Sequence, residues 1–404
     1  MQLDRTVRLD EPLALTLTDL PEDRPVRVEL RAGTDPELSW WARFDSGPRG
    51  TISTDTSASQ DGSYLGCDPY GLWWSMPATA RSGSDPLADQ LIEVTADCDS
   101  VRRRFSILRK GIPDTVEVSV AAAIPSGTLF TPATRPAATV IVLGGSGGGQ
   151  EPARTIAAML AARGARALGL AYFGSAGLTA ELDRVPIEIV GDAVTHLAGL
   201  AGEPVHLVSV SRGAELALQV ASRYPGIASV TAIACSAISW PGLTRSRQVV
   251  PAWTWHGEPL PYAVPGSSGG AVSSTADGLC FTPLYNATLD EPASWQHAAI
   301  EVDRIAGELL LVSGGDDQLW PSGRFAELIG RRRTGRADRH LHFPDAGHGI
   351  GRPPGLPASE ISIRHPGSGL GYCLGGSRAA NAAAGASWWK ALVDMLGLDQ
   401  GGLL

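Results

Sequence analysis

Residues 205–226 read VHLVSVSRGAELALQVASRYPG, and this stretch narrows the possible folds more than any other. An apolar run, Val205 to Val210, stops at Ser211. A helix-patterned run follows, with Ala214, Leu216, Ala217, Leu218, Val220 and Ala221 as its apolar face, and Pro225-Gly226 ends it. Strand, single serine, helix is the layout of a nucleophile elbow, a turn so tight that the residues two before and two after the serine must be small. Here they are Ser209 and Gly213, a G-x-S-x-G pattern with Ser in its first slot. Ser209 has Leu207 two places before it, too large for such a turn, so Ser211 is the expected nucleophile. The plain alternative is a strand-to-helix turn that happens to carry a serine. An acid and a histidine downstream, each at a strand end, decide between the two.

The surrounding sequence alternates strand, loop and helix. Ala138 to Leu143 is a continuous apolar run, expected as a strand buried on both faces. The glycine-rich loop Gly144–Gly149 follows it, then a helical run, Ala153 to Ala165. Ala167 to Ala171 predicts another buried strand, Ile187 to Leu200 a helix, and Val230 to Ala234, Glu308 to Ser313 and His340 to Phe343 three further strands. This rhythm predicts a mostly parallel sheet flanked by helices. Residues 255–292 are rich in Gly, Ser, Pro and Ala without clear periodicity, and read as an inserted cap or lid.

The first part of the chain has a different texture. Leu13–Thr18, Val26–Leu30, Ser39–Phe44 and Leu91–Val94 are short alternating runs separated by Pro, Gly and charged residues. They predict a β-sandwich of immunoglobulin type over residues 1–125, with the α/β unit occupying 126–404. The 404 residues carry a net charge of −9, which argues against a nucleic-acid partner. The five cysteines are widely spaced with no C-x-x-C, so neither a disulfide framework nor a zinc site is expected. No apolar run reaches 18 residues and the N-terminal segment has no apolar leader core, so a cytoplasmic protein without a membrane span is expected.

A serine hydroxyl needs a base to take its proton and a third group to orient that base. In an α/β-hydrolase these follow in the order serine, acid, histidine. The turn after Leu309–Ser313 holds Asp316 and Asp317, which compete for the acid role. His348 lies in the glycine-flanked loop after His340–Phe343 and is the expected base. The oxyanion donors expected are the backbone N–H of Arg212, just after the nucleophile, and those of Gly145 and Ser146 in the glycine loop. That loop is not a P-loop, because no Lys follows it. The arginine clusters Arg102–Arg104 and Arg331–Arg333 read as solvated helix faces or loops, with coenzyme A phosphates as the functional alternative. The tryptophan pairs Trp40-Trp41, Trp73-Trp74 and Trp388-Trp389 read as packing residues.

With these residues in view, the chain resembles the acyl-CoA thioesterase / bile acid-CoA:amino acid N-acyltransferase family along nearly its whole length. Leu9–Pro12, Trp41–Phe44 and the long stretch Gly62–Pro77 carry the resemblance in the β-sandwich region. Ala171–Gly174, the elbow at 209–213, Gly314–Ser322, Gly347-His348 and Gly375-Gly376 ahead of Trp389-Lys390 carry it in the α/β-hydrolase region. Asn381 stands where that family commonly has a histidine. The resemblance implies a triad of Ser211, Asp317 and His348, and favours Asp317 over Asp316 because the family's acid is the last residue of the turn. Family members with serine as nucleophile are mostly thioesterases, whereas the amino-acid N-acyltransferase uses cysteine. An acyl-CoA or other acyl-thioester substrate is therefore expected, with coenzyme A only as part of that substrate, no separate cofactor and no metal. Acyl transfer to an amine or alcohol, and carboxylesterase or peptidase activity, are the catalytic alternatives on the same scaffold. A non-catalytic binding protein is the alternative from another class.

Overall fold

The computed structural model describes residues 5–33, 38–77, 85–120, 123–124, 126–266, 269–365 and 368–398. The chain forms two compact units. One runs to Asp114 and includes Arg352–Ser359; the other comprises Thr115–Gly351 and the described residues from Glu360. The sequence boundary at residue 125, itself outside the described residues, falls later than this division. The reason is strand pairing: Val116–Ser119 pairs antiparallel with Gly127–Pro132 and so joins the larger sheet.

The N-terminal unit is β-rich. Its main sheet has the order Arg5–Arg8, Val101–Lys110, Gln90–Cys98, Pro25–Ala32, Ser39–Asp45, Asp61–Gly62. All neighbours are antiparallel except the first pair. Val26, Val28, Leu30 and Ala32 are buried while the residues between them are partly exposed, the signature of a sheet with one packed face. Thr16–Leu17 and Ile52–Ser53 form a separate two-stranded sheet. The tryptophans are anchored packing residues: Trp40 Nε1 donates to the Leu72 carbonyl (2.5 Å) and Trp73 Nε1 to that of Glu11 (2.9 Å). Arg102, Arg103 and Arg104 lie in a strand rather than a helix or loop, and Arg102 pairs with Asp97 across the hairpin at 2.5 Å.

The second unit is built on an eight-stranded sheet. Its strands are β1 (Val116–Ser119), β2 (Gly127–Pro132), β3 (Ala138–Leu143), β4 (Ala165–Leu170), β5 (Val205–Val210), β6 (Ile227–Ile233), β7 (Glu308–Gly314) and β8 (Arg339–Phe343). Their order across the sheet is β1-β2-β4-β3-β5-β6-β7-β8. β2 is antiparallel to both neighbours, and all pairs from β4 to β8 are parallel. This order, with an antiparallel second strand, is that of an α/β-hydrolase. All six residues of β3 are buried, as their continuous apolarity requires.

The helices that concern the site are α1 (Glu151–Ala161), α2 (Glu188–Ala201), α3 (Arg212–Ala221), α4 (Thr282–Leu289), α5 (Ser322–Arg332) and α6 (Arg378–Met395). The chain passes from β3 to β4 on one side and then returns to β5 on the other. Open α/β sheets form their ligand crevice at such a reversal, outside the carboxyl ends of the strands. The ends of β3 and β5 carry Gly144 and Ser211. The 255–292 segment is more ordered than its composition implies. It holds α4 and the hairpin Ser273–Thr275/Gly278–Cys280, which joins Gly371–Cys373 and Ser362–Arg364 in a four-stranded sheet. Among the described residues, no helix is long and apolar enough to cross a membrane.

Candidate active site

Ser211 sits between β5 and α3 with φ 55° and ψ −120°, a conformation that L-residues rarely adopt. Its N–H donates to the Ile233 carbonyl of the neighbouring β6 (2.8 Å), so the strained turn is held by the sheet. At Gly213 an added Cβ would lie 2.1 Å from the Gly144 carbonyl oxygen, so the second small position of the elbow has room for glycine alone. Ser209 is fully buried and donates its hydroxyl to the Thr231 carbonyl (3.1 Å), so the serine in the first slot is accommodated by a backbone acceptor.

Three residues from distant parts of the chain meet here. His348 Nε2 lies 2.9 Å from Ser211 Oγ. His348 Nδ1 lies 3.1 and 3.0 Å from the two carboxylate oxygens of Asp317. All three side chains are buried. Asp317 Oδ1 also accepts the backbone N–H of Leu319 and of Trp320, each at 3.1 Å, which aims the carboxylate at the histidine. The Trp320 ring packs edge-on against His348 at 5.6 Å, and the His348 N–H donates to the Leu374 carbonyl (2.7 Å). Asp316 turns outward: it is exposed and accepts from Gln318 Nε2 (2.6 Å) and from the N–H of Gly376 (2.8 Å). Asn381 is buried on α6, and its Oδ1 accepts the N–H of Gly347 (2.8 Å), bracing the loop that carries His348.

The three expected oxyanion positions lie near Ser211. Arg212 is the first residue of α3, so its N–H has no intrahelical acceptor and stands at the positive end of the helix dipole. An added Cβ on Gly145 would lie 3.5 Å from Ser211 Cβ, so the glycine loop passes directly beside Ser211. The Tyr172 hydroxyl lies 3.0 Å from the carbonyl oxygens of both Gly144 and Gly145 and anchors that loop from below. Gly148 and Gly149 both adopt φ 70°, which accounts for two of its glycines.

A pocket of about 160 Å³ opens at Ser211. Ser146, Arg212 and Trp320 line it, with Leu243, Pro265, Phe281 and Tyr285 as apolar lining. Two groups in and behind it carried no sequence signal. Glu215, on α3, is fully buried and pairs with Arg212 at 2.9 Å. It also accepts from Trp253 Nε1 (2.6 Å), the Trp240 N–H (3.1 Å) and the Ser239 hydroxyl (3.3 Å). Burial pushes this carboxyl up, while Arg212 and the donors pull it back. Arg212 in turn donates to the carbonyls of Trp240 and Pro241, both at 3.0 Å, tying the pocket wall to the elbow helix. The second group is His365, also in the pocket lining.

The Arg331–Arg333 cluster and the histidines of β8 have structural partners. Arg331 pairs with Glu327, Arg332 with Asp303, and buried Arg333 with Asp338 and the carbonyls of Val302, Ile305 and Gly307. His340 and His342 share the Ser313 hydroxyl at 2.7 and 2.9 Å. Among the described residues, no group of three or more His, Cys, Asp or Glu side chains has the arrangement of a metal site.

Known proteins resemble this chain in both of its regions. Residues 188–398 match the family described as BAAT / acyl-CoA thioester hydrolase C terminal, and residues 10–96 match the acyl-CoA thioester hydrolase/BAAT N-terminal region. Human acyl-coenzyme A thioesterase 1 is 28% identical over 418 aligned residues, covering 97% of this chain and 94% of the relative. Mouse acyl-coenzyme A thioesterase 5 is 27% identical, covering 95% and 92% respectively. The esterase domain of a Rhodothermus marinus protein overlaps 67% of this chain and 92% of its own, at 15% identity and a TM-score of 0.38. With the family matched over more than half of its length, and over both of its regions, this chain belongs to the BAAT / acyl-CoA thioester hydrolase family.

Proposed function

We propose that this chain hydrolyses acyl-CoA thioesters through a serine acyl-enzyme. The observation that carries the reading is the hydrogen-bonded chain from Ser211 Oγ through His348 to Asp317 at a strained strand-to-helix turn. The names of the relatives supply the substrate class.

In the proposed sequence Ser211 Oγ attacks the thioester carbonyl carbon and its proton passes to His348 Nε2. Asp317 holds the imidazole in the Nδ1–H tautomer and stabilises the imidazolium that forms. The carbonyl oxygen becomes an oxyanion facing the N–H groups of Arg212, Gly145 and Ser146. The C–S bond breaks, and the departing thiolate of coenzyme A takes the proton from His348. Water then adds to the acyl-enzyme, giving its proton to His348, and Ser211 leaves reprotonated with release of the carboxylic acid. Coenzyme A enters as the leaving group of the substrate, and the residues named are sufficient for the proton transfers. The apolar walls of the pocket suit an acyl chain.

The reading places the activity in the cytoplasm. All five cysteines are free thiols, which fits a reducing compartment.

Intact-mass trapping across a panel of acyl-CoA thioesters tests the proposal. The expected result is a mass increase of one acyl group on the wild-type chain and none on Ser211→Ala, with kcat falling about 10⁶-fold in that variant. Full turnover by Ser211→Ala overturns it.

A further inference from the structure

His365 has both ring nitrogens committed. The backbone N–H of Ser368 points at Nδ1 (3.2 Å), and Ser146 Oγ lies 3.0 Å from Nε2. A backbone N–H can only donate, so Nδ1 is the acceptor and carries no proton. In a neutral imidazole the proton then resides on Nε2, and Nε2–H donates to Ser146 Oγ. Burial favours this neutral form: the side chain is 4% exposed, and its pKa is held below the ordinary imidazole range.

The consequence falls on Ser146. A hydroxyl has one proton and two lone pairs. One lone pair receives the His365 proton, so the O–H of Ser146 cannot point at His365. Among the described residues its hydroxyl has no other protein partner. Ser146 and Ser211 line the same pocket, and a Cβ added to the preceding residue, Gly145, would lie 3.5 Å from Ser211 Cβ.

The support beneath His365 is rigid. Its ring stacks on Tyr372 at 4.9 Å and 30°, and its own N–H donates to the Leu370 carbonyl (2.8 Å). The Ser368 hydroxyl donates to Tyr372 Oη (2.9 Å). Tyr372 lies in the four-stranded sheet shared with the 273–280 hairpin. A histidine needed only to fill space would not require a fixed tautomer facing a serine beside the nucleophile.

We propose that the Ser146 hydroxyl, oriented by His365, is an additional hydrogen-bond donor to the oxyanion formed when Ser211 attacks its substrate. This deepens the thioesterase reading and rests on it. Ser146 is the catalytic residue in this proposal, and His365 is its positioning residue. The backbone N–H groups stabilise the oxyanion in any case; the hydroxyl adds a donor whose direction depends on a residue 219 positions away.

The test compares Ser146→Ala, Ser146→Thr, His365→Leu, His365→Gln and the double variant Ser146→Ala/His365→Leu. Steady-state hydrolysis of an acyl-CoA gives kcat and KM. Inhibition by an alkyl boronic acid, which adds to Ser211 as a tetrahedral adduct, reports transition-state-like binding. Ser146→Ala is expected to lower kcat about 100-fold with little change in KM, and to weaken the boronate by a similar factor. Ser146→Thr retains a hydroxyl and is expected to keep most of the activity. His365→Leu is expected to lower kcat by roughly tenfold, and His365→Gln, whose amide N–H replaces Nε2–H, to restore most of it. In the Ser146→Ala background His365→Leu is expected to cost nothing more. Wild-type kcat in Ser146→Ala, or an undiminished effect of His365→Leu in the double variant, overturns the proposal. A wild-type chain inert towards acyl-CoA, or an active Ser211→Ala, instead overturns the thioesterase reading itself.

Discussion

Gly213 and Gly144 approach so closely that a methyl group on Gly213 would bring its carbon within 2.1 Å of the Gly144 carbonyl oxygen. The contact locks the first turn of α3 onto the glycine loop, so Ser211 and the expected oxyanion donors share one rigid corner. Backbone cannot yield as a flexible side chain can. Gly213→Ala is expected to destabilise the fold by about 3 kcal/mol or more and to remove activity in whatever remains folded. Ser209→Gly, at the other small position, loses only the hydrogen bond to Thr231 and is expected to cost about 1 kcal/mol with kcat retained. Denaturant midpoints and turnover for the two variants check the contrast; equal stability losses would count against it.

Asp316 and Asp317 are neighbours in sequence with opposite orientations. Asp317 meets His348 at 3.0 Å, and Asp316 faces solvent. Under the proposed mechanism Asp317→Asn is expected to lower kcat about 10⁴-fold, because the amide favours the wrong histidine tautomer. Asp316→Asn is expected to leave kcat within about threefold. If Asp316→Asn were the more damaging of the two, the assignment of the acid would be wrong.

Glu215, itself fully buried, neutralises Arg212, which is nearly so. Glu215→Gln keeps an oxygen acceptor for Trp253 and Trp240 but leaves the guanidinium buried without a counter-charge. Breaking such a pair is expected to cost about 3–5 kcal/mol. The pocket wall at Trp240 and Pro241 is tied to the same arginine, so a rise in KM is expected in the folded fraction. Chemical denaturation of the purified variant gives the answer, and a loss under about 1 kcal/mol would show that the pair is not stabilising.

His206, in β5, is held below the ordinary imidazole range by burial, against a smaller opposing pull from Glu203. His340 and His365 are shifted in the same direction, again chiefly by burial. The unfolded chain therefore binds more protons than the folded one between the lowered values and about 6.5. The stability these groups contribute is present above about pH 6.5 and is lost as pH falls through their folded values. Unfolding free energy is expected to decline from pH 7 to pH 5, and His206→Asn to make that decline shallower. Parallel curves for the variant and the wild type would exclude the effect.

Much of the core was legible from residue order because its causes are local. Continuous apolar runs such as Ala138–Leu143 have no solvent face, so a strand covered on both sides is their only stable outcome. Arg102–Arg104 misled because a run of charge hides strand alternation: the cross-strand partners that make it a strand, such as Asp97, belong to another segment. The 255–292 insert looked featureless because its short hairpin is stabilised by pairing with Gly371–Cys373, which no window of local sequence contains.

The same distinction runs through the site. The position of Ser211 was set by the sequence alone, since the steric demands of the elbow act on residues two places away. The order serine, acid, histidine was likewise readable along the chain. Residue pattern left Asp316 and Asp317 open and the family resemblance favoured Asp317; that Asp317 meets His348, and that His365 meets Ser146, is set by the tertiary structure. Those two relations are distances of about 3 Å between residues 31 and 219 positions apart, and hydrogen bonds of that length form only once the sheet has brought its strand ends together.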